Sequence, residues 1–158
     1  MNRNLQKRIL EIREALETDP RGILVGSLPA PAQNVERLSG LPSDYLELLN
    51  ISDGIQCGEV VFYALDALDQ FQPLADLIPG GRERWLNIGH LPDQAIALDR
   101  NTGELKLINI RCGDSDGITY ERLDRFLESV FGQEYLTLAG YQDDWYRLLL
   151  RLGFAVAT

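Results

Sequence analysis

One histidine, two cysteines and a few short carboxylate runs carry whatever chemistry this chain could perform. With His90 as the only imidazole, a Ser-His-Asp or Cys-His nucleophilic system must use it as the base. Cys57 and Cys112 lie far from it in sequence, and no Gly-x-Ser-x-Gly elbow is present. Cys57, His90 and Cys112 could converge on zinc. However, no Cys-x-x-Cys or His-x-x-x-His pair supports that, and isolated free cysteines are usually small core residues. Asp114-Ser115-Asp116-Gly117 is similar to the start of a calcium loop. It has one acidic position too few before the glycine, and Glu121 falls too soon to close the cage, so a solvated turn is expected. Gly80-Gly81 and Gly113-x-x-x-Gly117 lack the Gly-Lys-Ser/Thr ending of a phosphate loop. Asp143-Asp144 stand at the expected start of a helix, where negative charge caps the free N–H groups. No catalytic residue, cofactor or metal is expected.

Charge is distributed less evenly. Twenty-four Asp and Glu against fifteen Lys and Arg give a net charge of −9. From Leu38 to Gly81 there is no Lys or Arg, while Asp44, Glu47, Asp53, Glu59, Asp66, Asp69 and Asp76 are all acidic. Elsewhere seventeen acids nearly balance fifteen bases. Nucleic acid and anionic membranes are disfavoured as partners, because both are bound through clustered Lys and Arg. A basic protein surface would be attracted and an acidic one rejected. Acidity for solubility alone is the plainer alternative, with these side chains scattered around the fold.

The elements that must position these residues follow from length and pattern. The chain has 158 residues with 45% hydrophobic content, enough for one domain with a full core and no disulfide framework. Met1 to Leu10 has no apolar core of the secretory kind, and no stretch approaches the length of a membrane span, so a cytoplasmic location is expected. Leu5, Ile9, Ile12 and Leu16 mark one stripe of a helix that Asp19-Pro20 stops. The region from Pro20 to Pro42 reads as an irregular connection, with Val35, Leu38 and Leu41 suggesting a helical turn. Pro42 opens a helix bearing Tyr45, Leu46, Leu48 and Leu49, and Ser52-Asp53-Gly54 turns the chain. Strands are expected at Val60 to Ala64 and Leu86 to His90, with a hairpin of Ala95 to Asp99 and Glu104 to Ile110 across Arg100-Asn101-Thr102-Gly103. In its second strand the apolar phase changes from Leu105 and Leu107 to Ile108 and Ile110, which implies a bulge or burial on both faces. Asp66 to Gly81 reads as a short helix and a loop. Helices are expected over Tyr120 to Phe131 and Gly140 to Leu152. Helices, then strands, then helices give an α+β fold.

These segments resemble the SUKH superfamily of fungal cell-wall-synthesis regulators and bacterial toxin-immunity proteins. Leu41-Pro42-Ser43-Asp44-Tyr45-Leu46-Glu47-Leu48-Leu49 with Ser52-Asp53-Gly54 is similar to the family's Leu-Pro-x-x-Tyr helix and its turn. Trp85-Leu86-Asn87-Ile88-Gly89 and the hairpin through Thr102-Gly103-Glu104 are similar to its Trp-x-x-Ile-Gly segment and central hairpin. Leu123 to Leu127 is similar to its late helix. The match spans Val35 to Phe131. It departs from the family at Ser-Asp-Gly, where Asn-Gly-Gly is commoner, and omits the first helix and the Trp145 helix. The resemblance implies a mixed or antiparallel sheet flanked by helices, no cofactor and a protein-binding role. It makes Leu41, Pro42, Tyr45, Gly54, Trp85, Ile88, Gly89 and Gly103 structural motif residues, and His90 a loop residue. Three functions stay open: an immunity-type module that binds a basic toxin domain through the acidic segment, a regulatory scaffold of a housekeeping pathway, and a hydrolase using His90.

Overall fold

A computed structural model describes residues 1–35, 40–112 and 117–158 of the chain. The backbone runs through α1 (Arg3–Thr18), α2 (Gly22–Val25), β1 (Gly26–Ser27), α3 (Ser43–Leu49), β2 (Ile55–Cys57) and β3 (Val60–Phe62). A 3₁₀ helix (Leu65–Leu77) and α4 (Gly81–Arg84) follow, then β4 (Trp85–Leu91), β5 (Gln94–Asp99), β6 (Leu105–Asn109) and β7 (Thr119–Tyr120). α5 (Leu123–Val130), α6 (Tyr135–Ala139) and α7 (Asp144–Arg151) complete it. The seven strands pair in sequence order, every pair antiparallel, so the fold is an α+β meander with helices before and after the sheet.

The alternation of side chains along the strands builds two cores. Leu86, Ile88, Ile96, Leu98, Leu105 and Leu107 join the buried residues of α1, α3, α5 and α7 in one cluster. In α1 these are Leu5, Ile9 and Ile12, whose spacing places them on one face of the helix, with Leu16 only half-buried. Each such side chain removed from water contributes about 1.5–3 kcal/mol. The alternate strand residues Trp85, Ala97 and Ile108 form a second, smaller cluster with Ala75 and Ile78. The sheet centre is therefore covered on both sides. That accounts for the phase change in β6, where Leu107 enters one core and Ile108 the other. The β5–β6 register is unbroken, and the irregularity lies in β4, between Asn87 and Gly89.

Gln72 of the 3₁₀ helix is the reason that irregular point is tolerated. Its amide donates to the Leu68 and Asn87 carbonyls at 2.8 and 2.9 Å and accepts from the Asn87 N–H at 3.0 Å. A buried amide thus replaces a strand partner. Gly89, next along β4, lies so close to β3 that a Cβ there would collide with the Val61 carbonyl oxygen.

Several expectations require correction. The region after Pro20 is not wholly irregular, since it forms α2 and the edge strand β1. β2 and α6 are also additional elements. Asp66 to Gly81 is mostly a long 3₁₀ helix, Leu65–Leu77, that accommodates Pro73. Tyr120 belongs to β7, and α5 begins only at Leu123. The last helix starts at Asp144, with Gly140 instead ending α6 at φ 80°. His90 is a strand residue, paired with Ala95 and Val61, not a loop residue. The helical turn through Leu38 and the calcium-like run Asp114 to Asp116 fall outside the described residues.

Candidate partner-binding surface

Local folding determines the fate of each carboxylate in the acidic segment. Asp44 and Glu47 lie on α3. The first approaches Arg122 at 3.7 Å, and the second meets the Met1 amino group. Asp53 turns inward to accept the Leu65 N–H at 2.7 Å, which holds the start of the 3₁₀ helix. Glu59, in the β2–β3 turn, accepts a hydrogen bond from Tyr141. Asp76 takes the Arg82 guanidinium, with Nε 2.9 Å from both oxygens, and that contact holds its carboxyl below the usual carboxylate range. Cations from outside the segment therefore answer three of its seven charges, those of Asp44, Glu47 and Asp76.

Asp66 and Asp69 differ. Both are exposed, and among the described residues neither makes an ion pair or side-chain hydrogen bond. They share the 3₁₀ helix with Leu77, which is 64% exposed at its C-terminal end. Leu77 borders a small, largely apolar groove of about 10 Å³, lined also by Leu74, Ile78, Ala95, Ile108, Asn109 and Ile110, of which Ile78, Ala95 and Ile108 are themselves buried. The charge count alone does not find these apolar residues. Their signal was the β6 phase change, which puts Ile108 and Ile110 on the face opposite the main core.

No protein-family model matches the chain, and no curated protein matches it.

The residues with possible chemistry occupy structural places. His90 Nδ1 lies 3.1 Å from the Tyr63 hydroxyl, and burial pushes its pKa down, which favours the neutral ring. Cys57 is buried, with its thiol pKa pushed well up by burial and by nearby Asp143. Cys112 is exposed, and no group of three potential metal ligands occurs among the described residues. Asp143 caps α7 by accepting the Tyr146 N–H at 2.9 Å, and its other oxygen accepts from Tyr135. That hydroxyl also receives the Glu59 N–H at 2.9 Å, tying the β2–β3 turn to α7.

The residues that carry the resemblance take the following places in the fold. Pro42 immediately precedes α3 as its cap position, and Leu41 beside it is half-buried. Buried Tyr45 donates to the Tyr63 carbonyl at 3.3 Å. Gly54 and Gly103 take positive φ, at 85° and 76°. The Trp85 indole donates to the Pro79 carbonyl at 3.1 Å, and Ile88 is fully buried. Among the described residues no helix is long and apolar enough to cross a membrane.

Proposed function

We propose that the chain is a non-enzymatic protein-binding module of the immunity type, which docks on a basic toxin domain and blocks it. The observation that carries this reading is the exposure of Asp66 and Asp69 without a counter-cation among the described residues, on the helix that ends at Leu77 and its apolar groove. The two carboxylates at the start of the helix steer a basic partner, and Leu77, exposed at its far end, offers apolar contact area. Where the toxin is a nuclease, the two carboxylates stand in for nucleic-acid phosphates. The SUKH resemblance from Val35 to Phe131 supports the same class. The encounter belongs in the cytoplasm, a setting that suits the two free cysteines.

The test is affinity capture from native lysate with wild type and the double variant Asp66→Lys, Asp69→Lys as parallel baits. Recovery of one stoichiometric basic toxin by wild type, and its loss with the variant, is the expected result. Equal recovery by both baits removes this face from the mechanism. Recovery of a housekeeping protein by wild type supports the regulatory-scaffold reading instead.

A further inference from the structure

We propose that the cleft between the β5–β6 hairpin tip and the start of α3 binds a phosphate group. The inference is independent of the partner-binding face. The cleft has a volume of about 380 Å³ and is lined by Pro42, Ser43, Asp44, Arg100, Asn101, Thr102, Gly103 and Arg122. That is within the range of small-molecule sites. Its charged lining consists of two guanidiniums and one carboxylate, a cationic spot on a protein of net charge −9.

Arg100 is the most firmly held cation of the cleft. It is half-buried, its Nε donates to the Arg82 carbonyl at 2.9 Å, and its Nη1 donates to the Gly40 carbonyl at 3.3 Å. It has no carboxylate partner among the described residues, and burial lowers its pKa, as expected for a charge lacking its counter-ion. The two carbonyls hold the side chain in place, so little rotamer freedom remains to be lost on binding. Arg122 reaches Asp44 only at 3.7 Å, beyond hydrogen-bond distance, and is otherwise exposed. The Ser43 hydroxyl and Asn101 amide, whose residues also line the cleft, have no hydrogen-bond partner among the described residues.

Donors from three chain segments therefore line one cleft that holds a single carboxylate, and Arg100 Nη2, the Ser43 hydroxyl and the Asn101 amide make no hydrogen bond among the described residues. A carboxylate ligand is satisfied by one guanidinium fork and would leave the others idle. A phosphate ester carries about −1.5 to −2 charges and three acceptor oxygens, which matches donors arriving from several directions. Asp44 opposes the ligand and sets a ceiling on its affinity.

The experiment is an amide-resolved NMR titration of the full chain with inorganic phosphate at constant ionic strength, and in parallel with adenosine 5′-monophosphate. The expected result is saturable shifts at Ser43, Asp44 and Arg100 to Gly103. Affinity should fall at least about tenfold in Arg100→Gln and in Arg122→Gln, and rise severalfold in Asp44→Asn, from the strength of charge-assisted bonds. Arg122→Gln keeps the test decisive if Arg100→Gln does not fold, because that side chain is 60% exposed and makes no hydrogen bond among the described residues. Tighter binding of the nucleotide would identify the ligand as a phosphate ester, and tighter binding of inorganic phosphate would identify the free anion. Shifts that never saturate with either probe, or wild-type affinity in Arg122→Gln, would overturn the proposal.

Discussion

Replacing Asp99 by asparagine keeps the shape of the side chain and removes its charge at the base of the β5–β6 hairpin. Asp99 Oδ1 accepts the N–H groups of Asn101 and Thr102 at 2.8 and 3.1 Å, and Oδ2 accepts Arg84 Nε at 2.9 Å. Burial alone would raise its pKa. The Asn101 N–H, the Arg84 guanidinium and the Thr102 N–H outweigh burial and hold the carboxyl below its usual range. A hydrogen bond to a charged group contributes about 1.5–3 kcal/mol against about 0.5–1.5 for a neutral one, so each backbone bond weakens by roughly 1 kcal/mol. The Arg84 contact adds little, because that side chain is 51% exposed and screened. Relief of the buried charge offsets part of the loss, leaving a net cost of about 1–2 kcal/mol, or about 2–8 °C in Tm for a chain of this size.

The pH dependence gives the sharper test. A depressed carboxyl contributes stability that is fully present above its unfolded pKa of about 4 and is lost as pH falls through the lower folded value. Urea unfolding, followed by fluorescence of buried Trp85 and Trp145, should show wild type more stable than Asp99→Asn at pH 7, with the gap closing below about pH 4. A gap that is absent at pH 7, or unchanged down to pH 2.5, would refute the reasoning.

Three other outcomes follow from the same contacts. Tyr135→Phe should cost about 1–3 kcal/mol in urea unfolding, because it strands the Glu59 N–H and one Asp143 oxygen in a part-buried place, while far-UV circular dichroism stays unchanged. Gly89→Ala should destabilise more than Tyr135→Phe in the same assay, since backbone rather than a flexible side chain occupies the Cβ position. A thiol reagent should titrate one cysteine, Cys112, in the folded protein and a second, Cys57, only after unfolding.

The parts legible in the sequence are those governed by local rules. The stripe Leu5, Ile9 and Ile12 needs only helical periodicity, and Asp143 caps α7 three residues from its N–H partner. β1 and β2 are two and three residues long, too short for any periodicity, and they exist because Gly26 and Cys57 pair across the sheet. Gly26 can sit there because it has no Cβ to strike the Trp145 ring, a contact with the far end of the chain. The 3₁₀ helix has neither helical nor strand spacing, and its position depends on Gln72 reaching Asn87. The acidic segment was visible as composition. The cations that pair with Asp44 and Asp76 come from outside it, so only the folded chain separates Asp66 and Asp69 from the other five carboxylates.

The most direct test of the partner-binding account is the salt dependence of affinity for the purified captured partner. Wild type should bind more weakly as salt rises. The Asp66→Lys, Asp69→Lys variant should bind more weakly at low salt and with a shallower salt dependence, because the steering charges are gone. Identical affinity and identical salt dependence in the two proteins would contradict the account.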